Sequence, residues 1–260
     1  RAAAGERSGQ VEAAAALREL TIGSDARAAQ AASAGAIPLL ADMVEVSGSP
    51  EPYAIVAVAG ALRSLAEGSG KRADKVVATG VLEPLVLLLE QGTDECCAIA
   101  AGTIRTLTGG EEPGERKAAA VSAGALEPLV HLLESSGRTS AEGFSHALGA
   151  LRNLCAGPAE RKGMVLRAGA LAPLARILKE ARCAADTVEA TAALRNLATG
   201  SDDRKAMVMA AGCLPPLVRL FEEGDAEGRN EAASCLRNLA KGSEERRKLI
   251  AAAGAGQALE

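Results

Sequence analysis

Apolar residues along this chain fall at helical spacing, and glycines and short polar stretches interrupt them at regular intervals. One motif, Leu-Arg-x-Leu, occurs at Leu17–Leu20, Leu62–Leu65, Leu151–Leu154, Leu194–Leu197 and Leu236–Leu239, with Ile104–Leu107 as a variant that begins with Ile. Successive copies are 45, 42, 47, 43 and 42 residues apart. Six residues after each motif begins stands a glycine: Gly23, Gly68, Gly110, Gly157, Gly200 and Gly242. A helix that ends in a left-handed residue favours glycine there. A second motif keeps step, running from Gly35 to Leu39, Gly80 to Leu85, Gly124 to Leu129, Gly169 to Leu174 and Gly212 to Leu217, each with Pro before the final Leu; the copy at Gly254 has no Pro. Proline just after a glycine break fits the first turn of a new helix, where its missing N–H costs nothing. Runs such as Leu85–Leu89 are too apolar to face water and belong in a core.

Each unit is therefore expected to hold three helices. A short one precedes the inner Gly (Arg116–Ala123, Arg161–Ala168, Arg204–Ala211), a second begins near the Pro (Pro128–Glu134, Pro173–Glu180), and a longer third ends at Leu-Arg-x-Leu. Polar linkers, Ser135–Ser140 and Glu222–Asp225 among them, absorb the differences in length. One such unit cannot bury its own apolar face, whereas a stack makes one continuous core. The division is a partial repeat at 1–23, full repeats at 24–68, 69–110, 111–157, 158–200 and 201–242, and a partial repeat at 243–260, all in one solenoid over 1–260. Alternating runs flanked by turn pairs are absent, so the expected class is all-α, and the period is too long for 34-residue helical hairpins.

The segments Ala-Gly-Ala-Leu-Glu-Pro-Leu-Val at 123–130 and Ala-Leu-Arg-Asn-Leu at 150–154 and 193–197, with Cys-Leu-Arg-Asn-Leu at 235–239, resemble the armadillo-repeat family. Repeated in register, the resemblance covers nearly the whole chain. It implies a right-handed superhelical solenoid of three-helix repeats whose third helices line a concave groove for extended peptides. It names no ligand, because armadillo proteins serve in import, adhesion, signalling and assembly.

Helical geometry adds a set of candidate groove positions. With the x of Leu-Arg-x-Leu as position 0 and 100° per residue, positions −2, +1, −6 and −9 form the apolar side, while 0, −1, −4, −7, −8 and −11 form the opposite side and are expected to be exposed. Position 0 is Glu19, Ser64 and Thr106, then Asn153, Asn196 and Asn238. The resemblance implies that these Asn side chains bond a bound peptide's backbone, since an amide both donates and accepts; a bond to a neighbouring helix end is the alternative. Position −1 is Arg in all six copies, Arg18, Arg63, Arg105, Arg152, Arg195 and Arg237. Such a column suits an acidic or phosphorylated segment, or each Arg pairs with a nearby acid and packs its stem between repeats. Position −4 is small throughout (Ala15, Gly60, Gly102, Gly149, Ala192, Ser234), which is expected to leave the groove floor open. Nuclear-import adaptors of the family hold Trp there, and this chain has no Trp, so that mode is set aside. Tyr53 and His146 fall on the same side, at −11 and −7.

Composition narrows the functional classes. Rings are few (no Trp, Tyr53, Phe144 and Phe221), so the core is aliphatic, and a net charge of −4 gives no basic excess for nucleic acid or a membrane surface. The cysteines at 96, 97, 155, 183, 213 and 235 form no Cys-x-x-Cys pair, and all but Cys183 lie in helical stretches. Buried reduced thiols in an intracellular protein, cytoplasmic or nuclear, are expected, with no metal and no cofactor. The chain carries no signal-peptide pattern and no initiating Met, which reads as an excised segment. Gly68-Ser69-Gly70-Lys71 faintly resembles a phosphate loop but lacks the first Gly and the hydroxyl after Lys, and it joins two helices. His131 reads as a core or edge histidine, and no catalytic grouping can be assembled. The expected function is a non-enzymatic scaffold for a protein or peptide partner; the alternative is a structural subunit docking by its ends or convex face, suggested by the apolar partial repeat Leu249–Leu259.

Overall fold

The computed structural model describes the backbone of residues 2–45, 52–110, 113–134 and 140–259, and the side chains from residue 9 onward except those of residues 44, 45, 52 and 53. Among these residues the chain forms 17 α-helices and no strand. The long helices α1 (Ala2–Thr21), α4 (Pro52–Ala66), α7 (Asp94–Thr108), α10 (Ala141–Cys155), α13 (Ala184–Ala198) and α16 (Ala226–Ala240) carry the Leu-Arg-x-Leu motifs toward their C-terminal ends. Each is followed by a short helix: α2 (Asp25–Ser33), α5 (Gly70–Val77), α8 (Gly114–Ser122), α11 (Ala159–Arg167), α14 (Asp202–Ala210) and α17 (Glu244–Ile250). After the first five of these come α3 (Ala36–Glu45), α6 (Leu82–Gln91), α9 (Leu126–Glu134), α12 (Leu171–Glu180) and α15 (Leu214–Glu223). After α17 the chain makes a π-type turn over Ala251–Ala255, broken at Gly254 (φ 104°), and a 3₁₀ turn over Gly256–Leu259. It divides into two compact units, Arg1–Ala150 and Leu151–Glu260, with the boundary inside α10.

The second helices begin two residues before their prolines, so α9 starts at Leu126 and α12 at Leu171. Proline is tolerated through the first turn because those N–H groups have no intrahelical acceptor. The inner faces are aliphatic: Leu62, Leu65, Leu85, Ile104 and Leu107 in the first unit and Leu151, Leu154, Leu174 and Leu178 in the second are fully buried.

The corner between a long helix and the next short one is built the same way several times over. At Gly200 the backbone turns left-handed (φ 83°), and the following Ser201 caps α14, its hydroxyl accepting from the N–H of Arg204 at 3.3 Å. Ser24, Ser69 and Ser243 cap α2, α5 and α17 in the same manner. The Arg204 side chain then folds back onto α13, donating through Nε to the carbonyl of Leu197 and through Nη2 to that of Thr199, both at 2.8 Å. Arg72, Arg116, Arg161 and Arg246 donate to Leu65, Leu107, Leu154 and Leu239 likewise. A guanidinium there satisfies carbonyls that a helix end leaves open and suits the negative pole of its dipole.

Carboxylates of the preceding short helix hold several of these arginines: Asp25 on Arg72 at 2.5 Å, Asp74 on Arg116 at 2.5 Å, and Asp202 on Arg246 at 2.6 Å. Hydrogen bonds from Lys205 and Arg246 hold the Asp202 carboxyl below its usual range. Lys162 and Lys205 reach forward to the carbonyls of Thr199 and Lys241, at 3.2 and 2.6 Å. Burial, helped by the charge of Arg204, pushes the Lys162 ammonium down.

Candidate functional site

The sequence points to the outer face of the long helices. Within the first unit α1, α4 and α7 pack in order, and within the second α13 packs on α16. At position −4 Ala15 is exposed and Ser234 half-buried, but Gly60, Gly102, Gly149 and Ala192 are buried and form no open floor. At the three glycines the cause is the arginine at position −1 of the preceding long helix, which lies across them. A Cβ on Gly60 would stand 3.1 Å from Cδ of Arg18, and one on Gly102 2.5 Å from Nη1 of Arg63. Arg105 covers Gly149 in the same way. Any larger residue at these glycines would displace a guanidinium.

In the second unit the arginines meet acids. Nε of Arg195 donates to Oε1 of Glu231 at 2.5 Å, and Nε of Arg152 stands 2.6 Å from Oε2 of Glu189, an ion pair whose N–H is not aimed at the oxygen. Arg237 is exposed and donates to the carbonyl of Ala258 at 3.2 Å. Burial lowers the pKa of Arg63; the carboxylates of Glu67 and Glu142 oppose that shift, while Arg18 and Arg105 add to it.

Position 0 divides similarly. Glu19 is exposed, whereas Ser64 is buried, sharing a 2.7 Å hydrogen bond with Thr21 and donating to the carbonyl of Ala61. Asn153 and Asn196 are half-buried. Nδ2 of Asn238 donates to the carbonyl of Arg195 at 2.8 Å and to Oγ1 of Thr199 at 2.9 Å, the helix-end bond that sequence reasoning set beside a peptide-binding role. Asn196 makes no side-chain hydrogen bond among the described residues.

His146 stands against Gly102 alongside Arg63, its Nε2 3.2 Å from Oε1 of Glu142 and its Nδ1 buried with no hydrogen-bond partner. Burial, then the charge of Arg63, pushes its pKa down. Tyr53 lies in α4, but its side chain is outside the described residues. His131 is exposed on α9. Five cysteines are buried and Cys183 is exposed. Among the described residues no three of His, Cys, Asp and Glu are grouped to hold a metal, and no helix is long and apolar enough to cross a membrane.

An open hollow runs along Gly68, Ser69, Gly70, Lys71 and Asp74 to Gly114 and Arg116. The stretch that resembles a phosphate loop is one of the capped corners, with Ser69 engaged as the cap of α5 and Arg116 bonded to Leu107, Gly109 and Asp74. The corner motif, Gly-Ser-x-x-Arg at Gly23, Gly68, Gly200 and Gly242, is a feature that the sequence reading passed over.

Comparison with known proteins bears on the whole arrangement. The family model for the Armadillo/beta-catenin-like repeat matches residues 201–241. No curated protein matches the chain. Among solved structures, the designed armadillo repeat protein YIII(Dq)4CqI is 31% identical, with a TM-score of 0.76 over 84% of this chain and 90% of that one. The chain is an armadillo-repeat protein. The designed armadillo repeat protein YIII(Dq.V1)4CPAF, solved in complex with peptide (KR)4, is likewise 31% identical, with a TM-score of 0.75 over 84% of this chain and 89% of that one. A set of computationally designed armadillo repeat proteins for modular peptide recognition is 27% identical, with a TM-score of 0.77 over 90% and 98%. This armadillo protein thus belongs to an all-α, non-enzymatic scaffold family.

Proposed function

We propose that this armadillo protein is a scaffold that holds an extended, acidic peptide segment along the outer face of its long helices. The observation that carries the reading is the Asn196 amide, half-buried on α13 and uncommitted among the described residues. An amide so placed offers a donor and an acceptor to the backbone of an extended chain. Asn153 and Asn238 continue the row; Asn238 spends Nδ2 on Arg195 and Thr199 and keeps its carbonyl oxygen for a ligand N–H. Arg63, Arg105, Arg152, Arg195 and Arg237 flank the amides, with His146 on the same side of its helix. In support, an armadillo protein of similar sequence has been solved with a peptide, there the basic (KR)4; the arginine column of this chain argues for the opposite charge.

The test is selection from a random peptide display library followed by fluorescence anisotropy on the enriched sequences. Peptides should be enriched, and Asn196→Ala should weaken them about fivefold, the size of one neutral hydrogen bond. No enrichment, or enriched peptides indifferent to changes at Asn153, Asn196 and Asn238 together, would sink the reading.

A second reading, docking by one end in a larger assembly, is favoured by Leu20, Ile22 and Leu39, large apolar residues 62%, 47% and 65% exposed in the first unit. Sedimentation equilibrium separates the two: association with itself that Leu39→Ser abolishes would favour end docking.

A further inference from the structure

The arginine column changes character from one unit to the other, and the change follows from the residue that each arginine meets on the next long helix. In the second unit that residue is an acid: Arg152 meets Glu189 and Arg195 meets Glu231, at 2.6 and 2.5 Å. These acids stand seven residues before Asn196 and Asn238. The same position in α4 and α7 holds Ala57 and Ile99, and here the arginines lie across Gly60 and Gly102 instead. Neither the Arg18 nor the Arg63 side chain makes a hydrogen bond or ion pair among the described residues, and both residues are half-exposed. Glu67 and Glu142 act on Arg63 only through their fields, and Arg18 and Arg105 repel it. Adjacent, half-exposed guanidiniums without a bonded countercharge, crossing glycine, suit a carboxylate from a ligand.

Resting on the peptide-scaffold reading above, we propose that the acidic stretch of the ligand docks on the first unit, its carboxylates seated on Arg18 and Arg63 where these cross Gly60 and Gly102, while Glu189 and Glu231 close the corresponding arginines of the second unit to acids. The occupant is a peptide with Asp or Glu side chains. Packed helices lie about 8–10 Å apart and an extended chain advances about 3.3 Å per residue, so the two carboxylates stand about two to three residues apart. The pattern is written in the sequence as a pairing rule. Where position −4 is Gly and position −7 is Ala or Ile, as opposite Arg18 and Arg63, the preceding arginine is left for a ligand; where position −4 is Ala or Ser and position −7 is Glu, as opposite Arg152 and Arg195, it is spent internally.

The rule can be transplanted. Ala57→Glu/Ile99→Glu gives the first unit the pairing that the second already tolerates, and Glu189→Gln/Glu231→Gln releases the arginines of the second. Each protein, checked for helix by circular dichroism, is titrated with labelled decapeptides that alternate Ser with Glu, Gln or phosphoserine, and with (KR)4. The Glu peptide should bind wild type more tightly at low salt than at high salt. It should weaken about tenfold on Ala57→Glu/Ile99→Glu, the size of two half-exposed ion pairs, and tighten on Glu189→Gln/Glu231→Gln. Glu-peptide binding that ignores the first double change overturns the inference, as does binding of the phosphoserine peptide alone. Binding of the Gln peptide or (KR)4 without the Glu peptide overturns it too, and with it the acidic character of the ligand, while a peptide scaffold of other specificity stands. Should none of the four bind, the scaffold reading falls with it. If Ala57→Glu/Ile99→Glu fails to fold, Arg18→Gln/Arg63→Gln provides the same loss without adding charge.

Discussion

At the scale of single residues, the face of the long helices is governed by what each side chain finds on the neighbouring helix. A wheel drawn for one helix assigned the small residues at position −4 to an open floor, because it has no place for an arginine arriving from the repeat before. Gly60, Gly102 and Gly149 are buried beneath such arginines, Gly102 beneath His146 as well. The residue identities were legible; their surroundings were not. His146 shows the same dependence, since Arg63, Arg105, Glu142 and burial among them set its charge. Its pKa in the folded chain lies below the ordinary histidine value, with burial as the first cause. Both states are neutral at higher pH, and on acidification the unfolded chain takes up the proton first. Stability should therefore fall as the pH drops from the ordinary histidine value, about 6.5, toward the lowered one. Urea midpoints at pH 7.5 and 5.5 should show a larger acid loss in wild type than in His146→Gln. An equal loss in both would place the acid sensitivity elsewhere.

Elements are joined by corners whose chemistry is local and repeated, and most of that chemistry stood in the sequence. The glycines six residues into each motif mark the ends of the long helices. The serine after four of them and the arginine three residues further on recur just as regularly (Ser24 and Arg27, Ser69 and Arg72, Ser201 and Arg204, Ser243 and Arg246). Serine-capped helix starts were readable there. The return of Arg204 to Leu197 and Thr199 was not, because it depends on the angle at which the next helix leaves. Ser201→Ala should cost about 1 kcal/mol, the usual loss for a cap. Arg204→Met should cost about 2 kcal/mol, the order expected for two hydrogen bonds from a charged donor. Arg204→Lys should recover only part of it, since an ammonium lacks the fork that spans two carbonyls. Urea denaturation of the three variants measures these costs, and full recovery with Lys would show that charge alone matters at the corner.

For the molecule as a whole, the aliphatic core and the thiols within it carry the testable content. Cys96 and Cys97 lie buried in the first unit and Cys155, Cys213 and Cys235 in the second, while Cys183 is exposed. Burial pushes the Cys213 thiol up to about 11 and that of Cys235 higher still, so neither supplies thiolate near neutrality. A maleimide should therefore modify Cys183 at once and the five others only as the chain opens. Mass spectrometry of the native protein that finds a second thiol reacting as fast would contradict the packing. Sequence periodicity carried the class of fold because a stacked core must repeat its apolar positions. It could not carry the contrast between Arg63 and Arg195, which lies in pairings across repeats. The corner arginine has a further consequence, for inheritance. Five of the six long helices are completed by a side chain encoded in the following repeat, and the carbonyls it meets, those of Leu65, Leu107, Leu154, Leu197 and Leu239, come from the same motif each time. Plug and socket are thus common to five junctions, so a gene duplication that begins at a Gly-Ser corner carries a plug that fits whichever socket precedes it. Such a chain can gain or lose repeats in evolution without inventing a new joint.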